Sequence, residues 1–228
     1  MTRLLLASAS PARRSTLRAV GIDPLVRVSG VDEDAVLVAG RERFGTLEPA
    51  DAVLVLAQAK AQAVADALTD DDGDDAPDAL GDLLVLGCDS MLEIDGEIHG
   101  KPADAAQATE RWRAMRGRSG VLHTGHWLVD ERDTDAGGTG GTLGATSSTV
   151  VHFADLSDAE IDAYVATGEP LRVAGAFTID GRGGAFVTGI EGDHHGVVGV
   201  SLPLLRELLG QLGVTVPDLW SGSDDVAG

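Results

Sequence analysis

Apolar residues along the chain fall into two patterns, unbroken short runs and residues spaced three or four apart. The runs at 3–7, 25–28, 83–86, 121–129 and 148–153 have the length and composition of strands. Helical spacing is clearest at 49–68, where Val53, Leu56, Lys60, Val64 and Leu68 recur on one side, and again around Ile161, Tyr164 and Val165 and around Leu204, Leu205, Leu208 and Leu209. Capping residues sharpen the boundaries. Ser10 followed by Pro11 starts a helix that Gly21 ends, Ser157-Asp158-Ala159-Glu160 is a capping box closed at Gly168, and Ser201 opens the last helix. Strands alternating with helices place the chain in the α/β class.

The stretch 83–102 organises the rest. The run 83–86 predicts a buried strand that carries Asp89 and Ser90 to its C-terminal end, where open α/β sheets place ligands. Asp95-Gly96 between apolar arms is a two-residue hairpin signal, because a type I′ turn needs positive φ at both positions. The hairpin turns Lys101 back toward Asp89, and Pro102 is placed to begin a helix over 103–115. A surface hairpin with solvated charges would give the same sequence signal.

Charge narrows the function. Acidic residues number 37 against 17 basic, for a formal charge of −20, which repels long polyanions; extended nucleic acid and anionic membrane are therefore not expected as partners. A small anion can still bind where cations cluster, since salt screens exposed charges beyond about 8–10 Å. Arginines account for 15 of the 17 cations, leaving Lys60 and Lys101 as the two lysines. A compact ammonium suits phosphate oxygens in a way that a planar guanidinium does not duplicate, and a lysine on the apolar side of a helix needs an anion to hold it there. No apolar run approaches the ~20 residues that span a bilayer, and the first residues carry no signal peptide, so a cytoplasmic location is expected. Cys88 lies in a buried strand and reads as a packed, inert thiol.

Ser8 and Ser10, with the free N–H groups of the helix start and Arg13, could cradle a phosphate, although a cap alone is the commoner role for Ser10. Arg13-Arg14 in a first helical turn opposes the helix dipole unless an anion compensates. Asp32-Glu33-Asp34 could offer a carboxylate to a divalent ion, and its spacing favours a solvated loop. His123 and His126, three apart on a strand, face opposite sides, and His194-His195 are expected to point apart within a turn rather than to hold a metal. The acidic run 69–78 reads as a solvated connection, 134–147 as a loop, 170–187 as closely spaced glycines around two short strands, and 221–228 as a frayed tail after a single domain over 1–220.

Four stretches together resemble the Maf-like (septum formation inhibitor) nucleoside triphosphate pyrophosphatases. They are Leu6-Ala7-Ser8-Ala9-Ser10-Pro11-Ala12-Arg13-Arg14, Ala57-Gln58-Ala59-Lys60-Ala61, Gly87-Cys88-Asp89-Ser90 with Gly100-Lys101-Pro102, and Tyr164-Val165-Ala166-Thr167-Gly168-Glu169-Pro170 through Ala174-Gly175-Ala176-Phe177. The resemblance implies an elongated α/β fold with a mixed sheet, flanking helices and two lobes around a nucleotide-binding cleft. It implies a homodimer that hydrolyses nucleoside triphosphates, modified ones included, to monophosphate and pyrophosphate. It selects Arg13, Lys60, Asp89 and Lys101 as catalytic residues, with Asp89 the general base or a metal ligand and Glu33 helping to hold the ion. Carboxylate and phosphate oxygens suit Mg²⁺ or Mn²⁺. Ser8, Ser10, Ala12, Ser90 and Asp180 fall at substrate-facing positions.

Departures from the pattern concern the base. Members resembling the dTTP/UTP-specific group carry arginine after Ser-Pro, threonine after the catalytic aspartate and glutamine where this chain has Asp180; here the first two are Ala12 and Ser90, and the usual lysine before Ala-Gly is Val173. A broad nucleotide range, or a preference for guanine or cytosine, is the consequence expected. The rival reading is a non-catalytic nucleotide-binding regulator of cell division, which would need the cations but not Asp89. No Gly-x-x-x-x-Gly-Lys-Ser/Thr loop occurs, which argues against a P-loop ATPase.

Overall fold

A computed structural model describes residues 2–69 and 82–221. Most of the acidic run and the tail from 222 onward lie outside the described residues. One seven-stranded mixed sheet runs in the order β2-β1-β3-β5-β6-β7, with β4 pairing β3 off this path. Its strands are β1 (Arg3–Leu6), β2 (Leu25–Val26), β3 (Leu83–Ile94), β4 (Glu97–His99), β5 (Ser119–Glu131), β6 (Thr142–Phe153) and β7 (Val187–Glu191). The helices are α1 (Pro11–Ala19), α2 (Glu33–Phe44), α3 (Pro49–Thr69), α4 (Ala105–Met115), α5 (Asp158–Ala166), α6 (His194–Val198) and α7 (Leu202–Gln211). No described helix is long and apolar enough to cross a membrane.

Of four buried apolar clusters among the described residues, two pack beneath α3 and the other two are the cores of the two lobes. Leu4, Leu6 and Leu17 pack with Leu84, Leu86 and the α7 leucines in one. Trp112, Phe153, Tyr164 and Phe177 pack edge to face in the other, with Leu92 and Leu122. The long strands β3 and β5 contribute to both, so one continuous antiparallel ladder from Leu83↔Glu131 to Glu93↔Val121 joins the lobes.

The expected strand at 83–86 is longer than its apolar run. β3 continues to Ile94, and Asp89 sits inside it rather than at its end. What stops is its parallel neighbour: β1 pairs Arg3↔Leu83 through Leu6↔Leu86 and then leaves the sheet, and β4 pairs only from Leu92 on, so the β3 edge between Leu86 and Leu92 faces a cleft. Helix α3 reaches this edge because two glycines let it approach. A Cβ on Gly87 would lie 2.1 Å from the Ala57 carbonyl oxygen, and one on Gly125 2.3 Å from that of Val53. Gly125 stands directly opposite Asp89 in the ladder, so the close helix sits over the acid.

Caps at Ser10, Ser157 and Ser201 form as expected, and Asp95 and Gly96 take positive φ (54° and 81°) in the hairpin. Other expectations are corrected. Helix α4 begins at Ala105 with Asp104 as its cap, because the Asp104 carboxylate accepts from the Gln107 N–H, and Pro102 lies before it. The acidic 32–34 cluster is a helix start, with Asp32 accepting from the Ala35 N–H, rather than a loop. Strand β6 starts at Thr142, not at 148: its first half pairs only with β5, and Gly144 lets the Trp127 ring lie against it, where a Cβ would come within 2.3 Å. Residues 170–172, 174–176 and 182–186 form 3-10 turns, and the one strand of that region is β7. Strand β2 is shortened to Leu25–Val26.

Candidate active site

A cleft of about 630 Å³ opens where β1 ends. All ten residues proposed from the sequence line it: Ser8, Ser10, Ala12, Arg13, Glu33, Lys60, Asp89, Ser90, Lys101 and Asp180. Neighbours on β3 point to opposite faces, so Asp89 looks toward α3 and Ser90 toward α1. The cleft reaches both because the edge they share is bare.

At the floor, Lys60 Nζ donates to Asp89 Oδ1 at 2.5 Å and pairs with Glu33 Oε1 at 2.7 Å. Lys60 and Asp89 are 9% and 7% exposed, whereas Glu33 reaches in from the exposed start of α2. Burial pushes the Asp89 carboxyl up; Lys60 and Arg13 pull it back without reversing the shift, and the nearby Glu33 charge adds to it. Burial opposes ionisation of Glu33, but its bond and attraction to Lys60, with the charges of Lys101 and Arg13, together shift it down. Burial also raises the Cys88 thiol to about 11, so it stays protonated and packed, as expected.

Arg13 takes over where β1 stops. Its Nη1 donates to the Cys88 carbonyl at 2.8 Å and to Ser8 Oγ at 3.0 Å, its Nη2 to Ser90 Oγ at 3.1 Å, and its Nε to the Gly199 carbonyl at 3.0 Å. The compensation expected for a cation in the first turn of α1 thus comes from carbonyls and hydroxyls. Ser90 also bonds Thr124 Oγ1 at 2.9 Å, and Thr124 donates to the Gly196 carbonyl, so this wall is rigid down to α6. Ser10 caps α1 through the Arg13 N–H while Ser8 Oγ accepts from the Ser10 N–H.

Lys101 stands at the rim, exposed, lining the same cleft without touching Asp89. The opposite wall is the segment 172–180, and its backbone is held from behind. Glu169 accepts from Tyr164 Oη, Thr178 Oγ1 and the N–H groups of Arg182 and Gly183; burial opposes ionisation, and these bonds win, holding the carboxyl at about 2. Ala176 adopts a left-handed φ of 62°, which costs about 1–2 kcal/mol in a residue with a Cβ, and the buried Trp112 Nε1 donates to its carbonyl at 2.8 Å. Exposed Asp180 lies at the end of this wall. Sequence reasoning missed Gly87 and Gly125, whose role is contact with a helix far along the chain, and Arg172, a cleft residue inside the 164–177 stretch to which no role was given.

Away from the cleft, His123 bonds Glu93 and Ser148 on one face of the sheet, and His126 accepts from the Ser201 N–H on the other, as their spacing predicts. Burial lowers His126 to about 4, so it stays neutral there. His194 and His195 do not point apart: their ring centroids lie 3.7 Å apart with the planes tilted by 38°, and with Asp193 they bring three potential metal-ligand atoms within 4.8 Å of one another, contrary to the expectation from sequence. Asp193 accepts from the N–H groups of His195 and Gly196, so the group forms the turn that caps α6.

Fold and cleft define a mixed α/β protein whose bare strand edge presents a buried carboxylate among cations and hydroxyls. The chain belongs to the Maf-like protein family, whose model matches residues 3–212. A Salinispora tropica protein is 57% identical over 219 residues, covering 96% of this chain and 88% of its own length. Proteins of Leifsonia xyli and Streptomyces avermitilis are 52% and 51% identical, each over 96% of this chain and 97% and 95% of their own. All three are named nucleoside triphosphate pyrophosphatase.

Proposed function

We propose that the chain is a nucleoside triphosphate pyrophosphatase, cleaving the bond between the α-phosphorus and the oxygen that bridges to the β-phosphate. The observation that carries this reading is the buried Asp89, held by one lysine on one oxygen at the floor of a cation-lined cleft. The names of the relatives agree with it.

Water attacks the α-phosphorus, its P–O bond forms as the bridging P–O bond breaks, and pyrophosphate leaves with the electron pair. Asp89 Oδ1 is turned toward Lys60, which leaves Oδ2 to orient the water and take its proton. A carboxyl raised by burial is a better base than a solvated one. Lys60, Arg13 and Lys101 offset charge that develops on the phosphates, and the hydroxyls of Ser8, Ser10 and Ser90 orient them. Asp89 and Glu33 both reach the Lys60 ammonium, and the carboxylate oxygens they bring to the cleft are of the kind that would hold a hard divalent ion such as Mg²⁺ or Mn²⁺. Such an ion would neutralise phosphate charge and activate water there.

At the base-facing end, Ala12 offers no hydrogen bond and Asp180, when ionised, only accepts, which favours a base with N–H donors or a broad range. The resemblance adds a cytoplasmic homodimer to this reading. Incubation with a panel of ordinary and modified nucleoside triphosphates, with pyrophosphate and monophosphate measured as products, tests it. Equimolar release of both is expected; binding without release across the panel would leave the non-catalytic regulator in its place.

A further inference from the structure

Charge balance in the cleft singles out a residue that the reaction as described leaves unused. Seven ionisable side chains line the cleft, the cations Arg13, Lys60, Lys101 and Arg172 and the carboxylates Glu33, Asp89 and Asp180. With Arg172 the lining is positive by one; without it the signs balance. That difference matters in a chain of formal charge −20 that must attract a multiply charged anion. The inner cations are already held by the protein: Lys60 by two carboxylates, and Arg13 by acceptors on all three of its side-chain nitrogens. The side chains of Lys101 and Arg172 make no hydrogen bond or ion pair among the described residues.

The backbone beneath Arg172 is fixed although its side chain is exposed. It ends a 3-10 turn (Pro170–Arg172) whose proline is buried, and the Arg172 N–H donates to the Glu169 carbonyl. The Gly175 N–H donates to the Gly100 carbonyl at 3.1 Å, which ties this segment to the residue before Lys101. An outer cavity of about 410 Å³, lined by Thr167, Glu169, Arg172, Val173 and Arg182, lies on the far side. Arg172 and Val173 therefore border both spaces.

We propose that Arg172 binds the distal phosphates of the triphosphate and the pyrophosphate they become. This rests on the pyrophosphatase reading and extends it. Asp89 at the floor meets the reacting phosphorus, so a rim guanidinium meets an end of the substrate remote from it. Of the two remote ends, the phosphates carry the charge, and a planar fork grips their oxygens in pairs.

Titration calorimetry of the full chain, in Mg²⁺, with inorganic pyrophosphate and separately with a nucleoside monophosphate distinguishes the two ends. Arg172→Ala is expected to weaken pyrophosphate binding by about 10- to 100-fold and to leave monophosphate binding within about threefold. Adding Val173→Lys should restore part of the loss, and an unchanged melting temperature will show that the variants fold. Unchanged pyrophosphate binding, or equal weakening of both ligands, would overturn the assignment. A wild type that releases no pyrophosphate from any triphosphate defeats the pyrophosphatase reading instead, whereas an active wild type with an unaffected Arg172→Ala defeats only the role given to Arg172.

Discussion

Asp89 and Asp130 lie on paired neighbouring strands, are both buried, and both face a cation, yet their carboxyls shift in opposite directions. Asp130 is fully enclosed and collects five donors: Arg132 through Nε, Nη2 and its backbone N–H, and Thr139 through N–H and hydroxyl. Burial alone would raise it; those bonds reverse the effect and hold it at about 2. Asp89 has one donor, Lys60, and burial prevails. The difference is one of saturation. A carboxylate with every lone pair occupied is a clamp, here joining the end of β5 to the Leu212 carbonyl through Arg132, whereas one with an unbonded oxygen at a cleft can do chemistry.

Exchanging each acid for its amide puts the largest effects on this contrast. Asp89→Asn should cut turnover by about 10³-fold while unfolding in urea stays near wild type, since the amide keeps the volume and one acceptor. Asp130→Asn should do the reverse, losing about 3–5 kcal/mol of stability with little change in turnover per folded molecule. If both variants lose stability equally, the distinction between clamp and site collapses.

The cations should differ in the same sense. Lys60→Ala removes the one cation that Asp89 and Glu33 share and should lower kcat/KM by about 100-fold; Lys60→Arg should rescue poorly, because a planar fork does not reproduce a compact ammonium held by two carboxylates. Full activity in the arginine variant would remove the case for lysine.

Acid unfolding sharpens the comparison further. Asp130 has a folded-state value of about 2 against an ordinary 3.8, so the stability it adds is present above about pH 4 and is lost as pH falls toward 2, on the order of 2 kcal/mol. Glu169, held down in the same way, steepens the loss in the same window. Urea midpoints between pH 2 and 5 should show the slope, and Asp130→Asn should flatten it; an unaltered slope would mean that the clamp is not what titrates.

The smallest effect concerns the base. Ala12→Arg with Asp180→Gln should move kcat/KM toward dTTP and UTP by about tenfold relative to guanine and cytosine nucleotides. A wild type already selective for dTTP and UTP would refute the base assignment.

Much of this was legible in local sequence. Caps at Ser10, Ser157 and Ser201, the Asp95-Gly96 hairpin and the lysine on the apolar side of α3 depend on residues within a few positions of one another, and each formed as the pattern indicates. Helix α2 escaped because Gly40 is its one buried residue, so no apolar stripe marks it. The first half of β6 escaped because glycine and threonine suit a strand only when β5 lies beside it.

What the chain by itself determined was which side chains would gather at one cleft: two lysines, one aspartate after a buried run, and an arginine at a helix start. Tertiary structure decided their states. Gly87 and Gly125 admit α3 to within reach of the sheet, the early end of β1 bares the Asp89 edge, and Arg13 closes that edge with bonds to residues as distant as Gly199. A carboxylate's readiness to act depends on how many donors reach it and how much water is excluded, and both come from segments far apart in sequence.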